Sequence, residues 1–327
     1  LTLPFFEFLD VSESPKNMPF HFSFPHYLLA KQSVDDRALN KDVLAALRLH
    51  LNAPASGLPL RVLEIGAGIG TMLRRLLRWQ VLPAQTDYTL LDEMPENIVF
   101  ARQWLPQAAA DLGWSSAWQD ESLLCLSGAS GRQVTVHLEQ ANVFTFAASP
   151  QRQAAYGLLI AHAVLDLFPL PQSLPGLLAL LQTQGLAWFT INFDGVSSLE
   201  PSLDAALDTL LEREYHRSMD TRPGGGDSQS GRHLFGYLNS LSVEILAAGA
   251  SDWVVYPQRG QYPAEEAFFL NCILRFYEES LSTRASVPSQ ALQNWLKIRR
   301  GQVENGQLTY VAHQMDFLCR NGFSDAA

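Results

Sequence analysis

The stretch Val62-Leu63-Glu64-Ile65-Gly66-Ala67-Gly68-Ile69-Gly70-Thr71 constrains this chain more than any other. A short aliphatic run, Arg61 to Ile65, stops at three alternating glycines, and a helix-like stripe from Thr71 to Trp79 follows. Glycine allows the turn to tighten and lets a ligand approach the backbone with no Cβ in the way. A strand, a tight turn and a helix are therefore expected here, with or without a ligand. A dinucleotide-binding turn is spaced G-x-G-x-x-G around a pyrophosphate. Here the third glycine comes one residue early, and Glu64 stands on the strand. A carboxylate there is awkward beside a phosphate and useful beside an ammonium group.

From Arg61 onward, short β-rich runs alternate with helical stripes, the pattern of a parallel sheet covered on both faces. Strands are predicted over Arg61 to Ile65, Tyr88 to Leu91, Val134 to Leu138, Gly157 to Ala161, Ala187 to Asn192, Trp253 to Tyr256 and Leu308 to Phe317. Helices are predicted over Thr71 to Trp79, Pro95 to Leu105 and Ser202 to Glu214, the last with Leu203, Leu207, Leu210 and Leu211 on one face. Residues 1–50 read as an N-terminal lid and helix. The lid is rich in Phe and Pro (Phe5, Phe6, Phe8, Phe20, Phe22, Phe24), and the helix begins near Asp35 with Leu39, Val43, Leu44 and Leu47. Residues 51–327 read as the main domain. Within it, 215–236 carries Pro223, Gly224, Gly225 and Gly226 and reads as a mobile loop. Residues 264–305 read as a helical insertion with aromatic stripes, which serve packing onto the sheet or a homodimer contact.

Composition narrows the function classes. Lys and Arg total 23 against 33 Asp and Glu, a formal net charge of −10, which opposes nucleic acid as a partner. The longest nearly uncharged apolar run, Ala154 to Leu165, is too short to cross a bilayer, so no membrane partner is expected. Cys125, Cys272 and Cys319 are odd in number and far apart, with no metal-ligand spacing. That argues for no metal and for a cytoplasmic location. The first ten residues lack the basic start and cleavage site of a signal peptide, and the absent initiator Met suggests a short missing N-terminus.

The order of motifs from about Arg61 to Asp194 resembles the class I S-adenosylmethionine-dependent methyltransferases, whose first motif reads very like VLEIGAGIGT. The resemblance implies an α/β fold: a Rossmann-like, seven-stranded, mostly parallel sheet with helices on both faces and an antiparallel last strand, plus lid and helical insertions. It implies S-adenosylmethionine as cofactor and S-adenosylhomocysteine as product. Glu64, Gly66, Ala67 and Gly68 would meet the cofactor at the first motif. Asp92, in Leu91-Asp92-Glu93-Met94, would accept from both ribose hydroxyls; a helix N-cap ahead of Pro95 is the lesser reading, and both roles can coexist. Gln140, where the family usually has Asp, would lie with Ala141 and Asn142 against the adenine. Ala161 and His162 end the fourth strand, beside which the family presents the methyl group. Arg37 would pair with the methionyl carboxylate, or sit solvated at a helix start.

Methyl transfer from a sulfonium needs alignment of nucleophile and methyl group above all, with a base only where a proton must leave. His162, Tyr215 and His216 are the expected catalytic candidates, since they fall in segments near the carboxyl edge of the sheet. The expected function is S-adenosylmethionine-dependent methylation of a small organic molecule. The apolar Phe-rich start and Trp253, Tyr256 and Tyr262 suit such an acceptor. The alternatives are a non-catalytic protein binding S-adenosylmethionine or S-adenosylhomocysteine, with a closed or absent acceptor cavity, and an NAD(P)-dependent oxidoreductase.

Overall fold

A computed structural model describes residues 22–51, 57–241 and 243–322. Three helices come first: α1 (Phe24–Ala30), α2 (Gln32–Ala38) and α3 (Lys41–Leu51). The α/β repeat follows as β1 (Leu60–Ile65), α4 (Thr71–Arg78), β2 (Gln85–Asp92), α5 (Pro95–Ala110), β3 (Ser115–Trp118), β4 (Leu123–Ser127), β5 (Gln133–Gln140), α6 (Val143–Ala147), β6 (Tyr156–His162), α7 (Leu170–Leu178) and β7 (Leu181–Glu200). The chain continues through α8 (Ala205–Asp220), α9 (Ser230–Ser240), β8 (Glu244–Ala250), β9 (Trp253–Val255), α10 (Glu266–Leu281), α11 (Ser289–Glu304) and β10 (Thr309–Arg320).

These strands form one sheet in the order β3-β4-β5-β2-β1-β6-β7-β10-β8, with β9 on the start of β10. The run from β5 to β7 is parallel, and β10 is antiparallel to both β7 and β8. β1 lies between β2 and β6, so the connections diverge there, and an open α/β sheet offers its ligand crevice at such a point. Burial on both faces explains why β1, β2 and β6 read as continuous apolar runs instead of alternating ones. One face carries α3, α4 and α5 through Val43, Leu47, Met72, Leu76 and Leu105. The other carries α6, α7 and α9 through Phe146, Leu170, Leu174, Leu177 and Leu234. A third cluster joins α1, α2, α8, α10 and α11 beyond the carboxyl edge of the sheet.

The five central strands and the antiparallel β10 match the expected pattern, but the sheet is larger than seven strands. The β3–β4 hairpin extends one edge, and β8, where no strand was expected, takes the place next to β10 at the other. Residues 253–255 pair only with the start of β10. The predicted lid falls partly outside the described residues, which exclude Phe5, Phe6, Phe8 and Phe20. Within 22–38 the chain forms the two short helices α1 and α2, joined at Lys31. The helix predicted from Asp35 is broken at Asn40, whose Oδ1 accepts the N–H groups of Asp42 and Val43 and so starts α3. The loop predicted over 215–236 is also corrected: α8 runs to Asp220 and α9 starts at Ser230, leaving 221–229 as the connection. The insertion is helical as expected. Its stripes, Phe269, Ile273 and Tyr277 with Leu292, Trp295 and Leu296, are buried within the chain itself, so they are not a free dimer face.

One carboxylate shapes the junction of β7 and β10. Asp316 is fully buried; its Oδ1 accepts the N–H of Ile191 at 2.7 Å and its Oδ2 that of Asn40 at 2.8 Å. Ile191 sits at φ +57°, a conformation unfavourable for a β-branched residue, where the β7–β10 register shifts. Asp316→Asn replaces one acceptor with a donor aimed at a backbone N–H. It should destabilise nearly as much as Asp316→Ala, by about 1–3 kcal/mol for each unsatisfied group. Urea unfolding of both variants checks this; a neutral Asn variant would show that one oxygen suffices.

Candidate functional site

The glycine turn lies at the carboxyl edge, above the point where the connections diverge. Gly66 and Gly68 have φ of +58° and +57°. A Cβ on Gly66 would lie 2.6 Å from Val164 Cγ2, and one on Gly68 would lie 2.6 Å from Leu28 Cδ1. Packing of Val164 and of α1 therefore already requires glycine at both places. Ala67 is buried behind them, its N–H donating to the carbonyl of Leu91.

Asp92 ends β2 directly beside this turn. Its Oδ2 accepts the N–H of Gly68 at 2.7 Å, and its Oδ1 accepts from Met94 N at 2.9 Å and Asn97 Nδ2 at 3.0 Å. Asp92 is thus not the N-cap of α5, a place taken by Met94, but it ties the approach to that helix and locks the glycine turn. An ionised carboxylate has about four acceptor positions, so one remains. Glu93 is exposed and Met94 is 43% exposed on the same rim. Across the crevice, Gln140 is exposed at the end of β5, while Ala141 is half-buried. Asn142 is spent locally: Oδ1 accepts the N–H groups of Phe144 and Thr145, and Nδ2 donates to Glu93. Ala161 is fully buried in the apolar core, so its side chain is not on the crevice wall.

Three expectations are corrected by partners already in place. Glu64 is 1% exposed and accepts from Tyr88 Oη at 2.5 Å; burial pushes its carboxyl up to about 8, so it is largely neutral at pH 7 and suited to the core more than to an ammonium. Arg37 donates to the buried Glu266 from both terminal nitrogens, which occupies the charge expected to meet a carboxylate. His162 is not placed for catalysis. Its Nδ1 meets Thr190 Oγ1 at 2.8 Å and its Nε2 meets Asp35 Oδ2 at 2.9 Å. Burial pushes its pKa down to about 4 even against the pull of Asp35. The neutral ring then donates from Nε2 to Asp35 and accepts from Thr190.

Asp35 is the centre of a network that the sequence did not disclose. It is 1% exposed, with Arg75 Nη2 at 3.2 Å, Lys31 Nζ at 3.6 Å and Trp253 Nε1 at 2.9 Å besides His162. Burial alone would raise its pKa, but Lys31, His162 and Arg75 together hold it well below the usual carboxylate range. Arg75 also donates to Asp36 and Thr71. Its sequence signal was one more arginine on a basic helix, and only tertiary contact distinguishes it from Arg74 and Arg78.

Next to the glycine turn, across Leu28, lies a cavity of about 350 Å³ between α1, the turn after β6, the middle of β7, α8, α10 and β10. Tyr215 lines it, as expected of a site residue, and so do Asp166 and Trp253. His216 does not: its ring faces Phe193, Ser197 and Glu212. Tyr256 is exposed elsewhere, and Tyr262 Oη is engaged with the backbone of Leu308. Tyr27, Tyr310, Lys31 and Gln314 are also on the wall; a core aromatic and a cavity aromatic look alike in sequence, and nothing local sets this Lys or this Gln apart from a surface one. Among the described residues no group of His, Cys, Asp and Glu side chains is arranged to hold a metal ion.

Glu64 supplies a stability test. Its folded pKa of about 8 lies above the unfolded value near 4.5, so its contribution is full below about 4.5 and is lost as pH rises through about 8. Glu64→Gln keeps an acceptor for Tyr88 and removes this titration. Melting temperatures should match the parent near pH 5 and exceed it at pH 9; parallel curves would place the ionisation elsewhere.

No protein-family model and no curated protein matches the sequence. Similar solved structures include an inferred methyltransferase of Bacillus halodurans, 11% identical over 86% of this chain and 100% of that one, TM-score 0.48. YjhP of E. coli is 13% identical over 90% and 99%, TM-score 0.44. Geranyl diphosphate C-methyltransferase of Streptomyces coelicolor, solved with Mg²⁺, geranyl-S-thiolodiphosphate and S-adenosylhomocysteine, is 11% identical over 85% and 75%, TM-score 0.41. The chain's own strand order, the parallel run from β5 to β7, the antiparallel β10 and the glycine turn after β1 make this a Rossmann-like α/β fold of the kind the sequence motifs imply.

Proposed function

We propose that the protein binds S-adenosylmethionine in the crevice bounded by Gly68, Asp92, Met94 and Gln140, and transfers its methyl group to a small organic molecule in the neighbouring cavity. The single observation that carries the reading is this adjacency. An acidic residue at the end of β2 and a glycine turn stand beside a largely apolar cavity, with Leu28 touching both. Ligand sites in open α/β sheets occupy this edge, and small-molecule cavities have this size and apolar lining. Asp92 would use its remaining acceptor position on the ribose. Met94 and Phe144, both exposed apolar side chains on the rim, would cover the adenine. The protein's part in the chemistry is alignment, together with exclusion of water by α1 and α10. A cavity with apolar walls favours this enzyme reading over a non-catalytic binder, and the glycine spacing favours it over a pyrophosphate cofactor.

Ligand selectivity tests the cofactor. S-adenosylhomocysteine should raise the melting temperature, with roughly 2.7 kcal/mol of stabilisation at about 100 times its dissociation constant, whereas NAD and NADP should not. A larger shift with NAD reverses the assignment. Asp92→Asn should keep an acceptor for Met94 but turn an amide toward the Gly68 N–H, so the turn loses its lock together with ribose recognition, and S-adenosylhomocysteine should weaken by roughly 1.5–3 kcal/mol or more in calorimetry of folded protein. Unchanged affinity would leave Asp92 as a tie between the turn and the start of α5.

A further inference from the structure

Buried polar side chains ordinarily find partners in the protein or in ordered water. On this cavity wall Tyr27, Tyr310 and Gln314 are all more than nine-tenths buried, yet among the described residues their side-chain polar atoms make no hydrogen bond within the chain. Tyr215 Oη is in the same position. The hydroxyls of Tyr27, Tyr215 and Tyr310 lie close enough to oppose one another's ionisation. Around them the wall is apolar, with Phe24, Phe193, Ile273 and Phe276. Such a chamber suits a ligand with an apolar body and a polar group that can both give and take hydrogen bonds.

Charge narrows the polar group. The wall carries two cations, Lys31 and Arg222, and two anions, Asp166 and Glu279. Lys31 lies 3.6 Å from Asp35, and Glu279 accepts from Arg275 at 2.7 Å. Asp166 and Arg222 remain, and among the described residues neither side chain has an ion-pair or hydrogen-bond partner on another side chain. A carboxylate or phosphate on the ligand would meet Asp166, and an ammonium would meet Lys31 and Arg222. A neutral group escapes both conflicts. Asp166 follows β6 by four residues, in the short turn Leu165–Leu167, with Val164, the residue seated on Gly66, just before it.

We propose that the cavity takes an uncharged hydroxyl compound with an apolar body, and that Asp166 accepts the hydroxyl proton as the oxygen is methylated. This rests on the methyltransferase reading above. The ligand oxygen forms a bond to the methyl carbon and the sulfur–methyl bond breaks, its electron pair returning to sulfur as S-adenosylhomocysteine. The hydroxyl proton passes to the Asp166 carboxylate and then to solvent. Burial raises the basicity of that carboxylate; Arg222 and Lys31 lower it and Asp227 raises it. Tyr27 and Tyr215, the phenols that sense Asp166, would hold the ligand oxygen.

Four probes with one naphthalene body isolate the polar group: 2-naphthol, 2-naphthylmethylamine, 2-naphthoate and 2-naphthyl phosphate. Their binding to the full chain saturated with S-adenosylhomocysteine is measured by calorimetry. 2-Naphthol should bind at least about tenfold more tightly than each charged analogue, given the cost of burying an unpaired charge. With labelled S-adenosylmethionine it should yield the methyl ether. Asp166→Asn should lower kcat by about 10²–10⁴ with little change in KM, and should abolish the loss of rate at low pH. Preference for a charged analogue, no binding of any probe, or an unimpaired Asp166→Asn variant overturns the proposal. The S-adenosylhomocysteine thermal shift is read separately, so failure of the cofactor assignment is distinguishable from failure of this one.

Discussion

A single buried carboxylate, Asp35, holds the N-terminal helices against the sheet. Burying a carboxylate and a guanidinium is costly unless each is fully partnered, and removing one member leaves the others stranded. Here four side chains partner Asp35, and a fifth completes the imidazole. Lys31 precedes α2, Arg75 belongs to α4, His162 ends β6, Thr190 in β7 completes the imidazole, and Trp253 opens β9. Because α4 begins at the glycine turn and α2 follows α1, this network fixes the distance between the turn and Leu28. The cavity wall inherits that position. What a sequence shows as a Phe-rich cover is, over residues 22–38, a pair of helices bound by buried ion pairs.

The framework was legible wherever local pattern and tertiary role coincide. Val62 to Gly70 is both an apolar strand and a glycine turn, and fully buried parallel strands advertise themselves as short aliphatic runs. The β8 strand was not legible. Glu244–Ala250 is a half-buried run of small residues without alternation, defined by pairing with β10. The connection 221–229 looked longer because glycines and serines dominated the window, while Tyr215 to Asp220 continued a helix already started.

The site divided along a similar line. Asp92 and Gln140 are where the resemblance implied, since the ends of strands are fixed by the strands themselves. Arg37, Glu64 and His162 failed as site residues for a common physical reason. Each is a polar group whose partner lies more than twenty residues away in sequence, Glu266, Tyr88 and Asp35 respectively, and no local spacing predicts such a pairing. The Tyr215 hydroxyl and the Asp166 carboxylate, by contrast, bond to no other side chain among the described residues, which is what distinguishes a wall of a chamber from a structural tie.

Leu28 belongs to two compartments at once, with one methyl group seated on Gly68 and the same side chain on the cavity wall. Whatever moves α1 to make room on one side also changes the volume on the other. Two ligands separated by such a partition cannot bind independently: the free energy by which the first alters the affinity of the second is returned identically when the order is reversed. Their mutual dependence is therefore written into one leucine, and its sign would be read from a thermodynamic cycle of the two occupancies.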